Sequence, residues 1–327
     1  MIVVTGATGM LGNVLVRHLV AHGAGPLRAL VRPSADLRAL AGLDVEVATG
    51  DVRDQASLVR AFAGADIVFH LAGIVSIERG GFPRLAETNV EGTRNVLAAC
   101  REAGVARLVY CSSIHAFAVP HGGACLTEES LIDPDQASGA YDRSKAEATL
   151  LVREAVAQGL DAVLVFPTGV IGPYDFRPSH TGELILACVQ GRLKAYVEGA
   201  YNFVDVRDVA EGMIAAAEKG RSGEGYILAG HNVTVIELLR SVEAVAGAPA
   251  PRLRLPFGLI RRLSFLIPVY YWGTRQKALF TTYSLDVISS GCTMTNEKAG
   301  RELGYSPRPF METMEDTVRW FRRQRML

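Results

Sequence analysis

Tyr141 and Lys145, in the run Tyr141-Asp142-Arg143-Ser144-Lys145, are four residues apart and share one face of any helix that contains them. A phenol with an ordinary pKa of about 10 is a poor acid or base at neutral pH unless a nearby cation stabilises its phenolate, and Lys145 is spaced to do that. Ser112-Ser113, at the end of the apolar run Leu108-Val109-Tyr110, adds a hydroxyl able to hold a reacting oxygen. The combination points to proton transfer at a carbonyl or alcohol oxygen. His115 follows Ser113 by two residues and reads equally as a substrate contact and as an ordinary loop histidine.

A second group of residues suits a nucleotide. Thr5-Gly6-Ala7-Thr8-Gly9-Met10-Leu11-Gly12 follows an apolar strand pattern and opens a helical one. Glycines there let the backbone approach a pyrophosphate, and the unpaired N–H groups of the helix start bind it. The spacing is GxxGxxG rather than GxGxxG. Where NAD-selective folds place an acid near the end of the second strand, this chain has Arg32, with Arg28 on the same strand. A guanidinium pairs bidentately with a 2′-phosphate, so NADP(H) is expected and NAD(H) less so. Asp36 facing the ribose in place of Arg32 would reverse that preference. Asp51-Val52 ends the third strand, where Asp51 either accepts from the adenine amino group or caps the helix that starts at Gln55. Leu71-Ala72-Gly73 is small enough to pass close to the cofactor, and His70 before it reads as a packed strand-end histidine.

These residues need a scaffold that brings strand ends together. Apolar runs at Ile2–Val4, Leu27–Val31, Val45–Val47, Ile67–Phe69, Leu108–Tyr110 and Ala162–Val165 alternate with helical patterns at Leu11–Ala21, Gln55–Phe62, Leu85–Ala103 and Tyr141–Gln158. That alternation predicts an α/β fold, a Rossmann-type doubly wound parallel sheet. Residues 1–166 are expected to form the nucleotide-binding domain. Residues 167–327 are expected to form a smaller substrate-binding region, with about 203–232 returning to the sheet. Its predicted helices are Gly182–Val189, Val206–Ala217, Val235–Val245, Asn296–Leu303 and one opened by Pro309.

Composition narrows the partners. The chain has 327 residues, 49% of them hydrophobic, and 34 Lys+Arg balance 34 Asp+Glu. A sizeable core is affordable, and no net positive field attracts nucleic acid. Five cysteines without a CxxC pair suggest reduced thiols, and with no signal-peptide pattern at the start a cytoplasmic location is expected. No metal site is expected. The apolar stretch Phe257–Trp272 is interrupted by Arg261 and Arg262 and is too short to span a membrane.

Taken together, TGATGMLG at 5–12, GD at 50–51, HLAG at 70–73, Asn89, SS at 112–113, YDRSK at 141–145 and PTGVIGP at 167–173 make a chain that resembles the extended short-chain dehydrogenase/reductase family over nearly its whole length. The resemblance implies that Tyr141 is the proton donor or acceptor, that Lys145 holds the nicotinamide ribose and lowers the tyrosine pKa, and that Ser113 orients the reacting oxygen. It implies that Asn89 supports the active-site lysine or the cofactor. Cys111 and Ser112 would border the cofactor, and Pro167, Thr168, Gly169 and Val170 would line the carboxamide.

Departures from the family pattern choose among its chemistries. Ala200-Tyr201 precedes Asn202-Phe203-Val204-Asp205, where nucleotide-sugar members carry an arginine for the diphosphate. Ile114-His115-Ala116 replaces the dehydratase Asp-Glu pair. The remainder is similar to the dihydroflavonol-reductase-like branch. PSHTGELI at 178–185 and NFVDVRDVAEG at 202–212 resemble a bacterial group labelled hopanoid-associated sugar epimerase. The expected activity is NADP(H)-linked reduction of a small-molecule ketone or aldehyde, or its reverse. The alternatives are an epimerase with tightly bound NAD and a cofactor-sensing binding protein. Tyr174, Phe176, Tyr196, Phe203, Tyr270, Tyr271 and Trp272 are candidates for a substrate wall, about half of them expected to be plain core. Helices Leu85–Ala103 and Tyr141–Gln158 could form a homodimer interface.

Overall fold

The computed structural model describes residues 1–76, 80–119, 125–263, 282–289 and 291–327. The strands β1 (Ile2–Thr5), β2 (Leu27–Val31), β3 (Glu46–Thr49), β4 (Ile67–His70), β5 (Arg107–Cys111) and β6 (Ala162–Pro167) fall on the predicted apolar runs. Further on come β7 (Gly169–Ile171), β8 (Ala195–Val197), β9 (Ala200–Asp205) and β10 (Gly225–Leu228). The main sheet has the order β10-β6-β5-β4-β1-β2-β3, with every neighbouring pair parallel. The order reverses between β1 and β4, and in folds of this kind ligands bind in the crevice at the carboxyl ends of such strands.

Side chains alternate across each strand, so each strand feeds two cores. Val3, Leu108, Tyr110, Leu164 and Phe166 enter one core with helices α2 (Gln55–Phe62), α4 (Gly92–Glu102) and α5 (Ala140–Ala157). Val4, Val109, Cys111, Val163 and Val165 enter the other with α1 (Met10–Ala21) and α7 (Val206–Lys219). The predicted helix Leu85–Ala103 starts earlier, as α3 (Phe82–Leu85), and opens into one wide π turn at Ala86–Glu91 before α4. Asp54, not Asp51, caps α2 by accepting from Ser57 N–H, which corrects the capping alternative.

A third core joins Ile185, Leu238, Leu239, Met314, Val318 and Phe321. It lies among α6 (His180–Val189), α8 (Val235–Ala246) and the helix Phe310–Arg323, beside a small sheet of β7, β9 and β11 (His231–Thr234). The helix Phe257–Leu263 covers the start of the apolar stretch; its remainder, with Tyr270, Tyr271 and Trp272, lies outside the described residues. Among the described residues no helix is long and apolar enough to cross a membrane.

His70 is fully buried at the end of β4, as the packed reading expected. Its Nδ1 is 2.8 Å from Thr5 Oγ1 and its Nε2 is 3.1 Å from Thr93 Oγ1, whose own hydrogen goes to Asn89 O. Nε2 therefore donates and Nδ1 accepts. Burial holds the imidazole at about 3, well below its ordinary value. The unfolded chain takes up this proton first as pH falls, so the stabilisation is complete above about pH 6.5 and is lost on the way down to about pH 3. At pH 4.5 the loss is expected to be about 3 kcal/mol. Urea midpoints at pH 7.5 and 4.5 check this, with a visibly shallower pH dependence expected for His70→Gln.

Candidate active site

Ser113, Tyr141 and Lys145 converge where β5 ends and α5 begins, each less than a tenth exposed. The i, i+4 spacing sets Tyr141 and Lys145 one turn apart in the first turns of α5. Ser112 N–H donates to Val165 O (2.9 Å), and its hydroxyl pairs with Thr149 of α5 (2.7 Å). Alternation along the extended chain then turns Ser113 the other way, to the side of Tyr141.

The electrostatics differ from the expectation that Lys145 lowers the tyrosine. Burial raises the Tyr141 hydroxyl above its ordinary range, and the nearby Ser113 hydroxyl offsets this in part. Burial also pushes Lys145 below its usual value. Its ammonium is engaged elsewhere, donating to the Cys111 carbonyl at 3.0 Å. Among the described residues the Cys111 carbonyl is its one hydrogen-bond acceptor, so donor capacity remains for a ligand.

A continuous polar chain ties this pair to the glycine loop. Thr5 Oγ1 accepts from Leu71 N–H and Ala72 N–H and donates to His70, which donates to Thr93, which donates to the Asn89 carbonyl. The Asn89 side chain brackets Ile74, accepting from its N–H (2.7 Å) and donating to its carbonyl (2.9 Å). It also donates to Ser144 Oγ, which donates to the Tyr141 carbonyl. A Cβ on Gly73 would stand 3.2 Å from Asn89 Oδ1 and 3.9 Å from Lys145 Nζ, so the small residue expected after β4 borders both.

In the loop itself, Gly6 has φ +70°, and a Cβ there would lie 2.7 Å from Ala72 N. A Cβ on Gly12 would lie 2.2 Å from Gly6 O. Gly9 caps α1 without a side chain, and no acid stands in its first turn, where Met10 and Leu11 remain partly exposed beside Thr8. Arg32 is exposed past the end of β2 and close enough to Asp51 to depress its carboxyl, although Arg53 is the larger cause. Asp36 is committed to Arg38, which holds its carboxyl at about 2. Val52 is buried, and its carbonyl accepts from Asn95. After β6, Thr168 Oγ1 is buried with no hydrogen-bond partner among the described residues. Pro167 closes the strand, Gly169 packs against the Tyr201 ring, and Val170 pairs with Val204.

His115 joins the cluster, its ring edge-on to Tyr141 at 5.7 Å between centroids. Phe203 is one ring further out, against Tyr201. Tyr174 and Phe176 go elsewhere and pack against Trp320, tilted at 4.8 Å and edge-on at 4.9 Å between centroids, because Asn13 of α1 holds the Tyr174 carbonyl. Tyr196 packs on the third core. Tyr201 and Tyr283 touch His115 and were not singled out from sequence; Tyr283 is 168 residues away, with no local pattern to announce it.

The profile of the NAD dependent epimerase/dehydratase family matches residues 2–229. The chain belongs to this family of extended short-chain dehydrogenases/reductases. It is 37% identical to sterol demethylase protein B of Methylococcus capsulatus over 99% of both chains. It is 34% identical to a dihydroflavonol 4-reductase-like protein of Synechocystis, over 97% of this chain and 93% of that one. The crystal structure of gox2253 superposes with a TM-score of 0.89 at 35% identity, over 100% of this chain and 99% of that one.

For a member of this family the residues present fit a nicotinamide dinucleotide. The bare helix start at Gly9 offers N–H groups to a pyrophosphate, the remaining donor capacity of Lys145 suits ribose hydroxyls, and the orphaned Thr168 hydroxyl suits the carboxamide. When bound, the cofactor exchanges a hydride with substrate. Removing Asn89 would release both faces of Ile74 and the Ser144 hydroxyl together. Asn89→Ala is expected to lower stability by about 2 kcal/mol, read as a shift in urea midpoint at constant slope, with weaker nucleotide binding.

Proposed function

We propose that this protein is an NADP(H)-dependent oxidoreductase that reduces a ketone or aldehyde to an alcohol, or runs the reverse. The convergence of the Ser113 and Tyr141 hydroxyls beside Lys145 carries this reading. Ser113 fixes the reacting oxygen, Tyr141 gives or takes its proton, and Lys145 supplies positive charge next to the forming phenolate. Residues 1–166 would bind the nucleotide, and 167–327 the substrate. The similarity to a sterol demethylase protein and to a dihydroflavonol 4-reductase-like protein supports an alcohol or ketone on an apolar ring system. The aromatic neighbours Tyr201, Phe203 and Tyr283 suit such a ring.

Arg32 supports the choice of NADP(H). It stands exposed at the β2 end, while the nearby Asp36 is occupied by Arg38. Losing a charge-assisted contact to a 2′-phosphate is worth about 1.5–3 kcal/mol, roughly 10- to 100-fold. Arg32→Glu is therefore expected to lower kcat/KM for NADPH by that factor relative to NADH, measured on one carbonyl substrate.

Tyr141→Phe is expected to cut turnover about 10³-fold. Nucleotide binding should persist, as read by fluorescence titration; retained turnover would sink the assignment. Tightly held NAD⁺ released on denaturation, with no net NADPH consumption on any carbonyl, would favour an epimerase instead.

A further inference from the structure

Beside Tyr141 the structure holds a second hydrogen-bond chain that the reduction chemistry leaves unused. His115 Nδ1 lies 3.1 Å from Asp142 Oδ1 and 2.9 Å from the Tyr283 hydroxyl, which itself donates to Asp142. His115 Nε2 lies 2.8 Å from the Tyr201 hydroxyl. The Tyr283 hydrogen goes to Asp142, so Nδ1 carries the ring hydrogen and donates to the Tyr283 oxygen, and Nε2 accepts from Tyr201. Carboxylate, phenol, imidazole and hydroxyl in this order give the Tyr201 hydroxyl a proton acceptor: Nε2 takes its proton, Tyr283 links the ring to Asp142 and orients it, and the carboxylate 3.1 Å away stabilises its charge.

Each member is held in place. Asp142 is buried in the first turn of α5, next to Tyr141. The His115 backbone N–H donates to Ser113 Oγ at 3.2 Å, which fixes the turn that carries the imidazole next to the residue that holds the reacting oxygen. The Tyr201 ring rests on Gly169, where any Cβ would stand 2.6 Å from it. The His115 ring centroid is 5.7 Å from that of Tyr141 and 6.2 Å from that of Tyr201, which puts both phenols against one imidazole.

We propose that Asp142, His115 and Tyr201 form a second acid–base unit that removes and returns a proton at the carbon beside the carbonyl held by Ser113 and Tyr141. This rests on the carbonyl reading above. The C–H bond breaks and its electron pair becomes the C=C bond of an enolate, while the carbonyl π pair moves onto the oxygen. Ser113 and Tyr141 stabilise that oxygen by hydrogen bonds. The substrate proton passes to Tyr201 O as the Tyr201 proton passes to His115 Nε2, and the imidazolium faces Asp142. Reversal restores the ketone, with solvent hydrogen exchanged in, and no oxidant or reductant takes part.

The test uses the full-length protein in D₂O with cyclohexanone, 1-decalone and 5α-androstan-3-one. Reduction is followed with NADPH, and deuterium at the α-carbon of recovered ketone is followed by mass spectrometry without nucleotide. For a ketone that is reduced, the wild type is expected to exchange α-hydrogen at least about tenfold faster than buffer. His115→Gln and Tyr201→Phe are each expected to lose at least about tenfold of that exchange, and more of it than of reduction. Tyr201→Phe keeps the ring on Gly169 and removes only the terminal oxygen, so it tests the step even if a change at His115 disturbs packing.

Reduction without exchange above buffer overturns the second unit and leaves the reductase reading standing. Unchanged exchange in folded Tyr201→Phe also overturns it. Exchange without reduction supports the unit and sinks the reductase reading. Neither reaction on any of the three ketones counts against both.

Discussion

The architecture turns on a backbone contact that admits no side chain. Gly12 in the first turn of α1 sits on the carbonyl of Gly6, and Gly6 in turn sits on the backbone at Ala72. Any Cβ at either position would lie inside van der Waals contact with main-chain atoms, which cannot swing aside. This fixes α1 against β1 and fixes β1 against the end of β4. The strand order reverses between those two strands, so the contact also sets the width of the crevice at their carboxyl ends.

From that contact, order is passed to the chemistry by hydrogen bonds rather than by apolar packing. Thr5, His70, Thr93, Asn89 and Ser144 form one series from the glycine loop to the Tyr141 carbonyl. Each hydroxyl or amide in it has a defined direction because its other hydrogen or lone pair is already used. The imidazole at its centre stays neutral because it is buried. Lys145, by contrast, rests on a carbonyl, and its burial lowers its basicity.

Strand and helix identities were readable because parallel strands buried on both faces give uninterrupted apolar runs, and the crossover helices give a clear helical period. The Ser113, Tyr141 and Lys145 set was readable because two members share one turn and the third closes a strand. Three things were not. The engagement of Lys145 with Cys111 depends on where β5 ends relative to α5, which no local pattern encodes. Tyr174 and Phe176 looked like pocket walls, but the distant Asn13 draws the Tyr174 carbonyl to α1. The surroundings of His115 come from β5, α5, β9 and the helix Thr282–Ser289, so its partners meet only through the tertiary fold.

The wide turn at Ala86–Glu91 has a consequence for how this chain is aligned and engineered. A π turn holds one residue more than the α-helical path it replaces. Compared with a relative whose helix runs regularly here, this chain must therefore show a one-residue insertion between 86 and 91. An alignment that spreads the gap elsewhere will misassign Asn89. Deleting one of these residues to regularise the helix would rotate Phe82–Leu85 by about 100° relative to α4. Leu85 packs directly on Ala140 and Tyr141, so a change made far along the sequence, and apparently favourable to helix formation, would be felt at the active site as a lost wall.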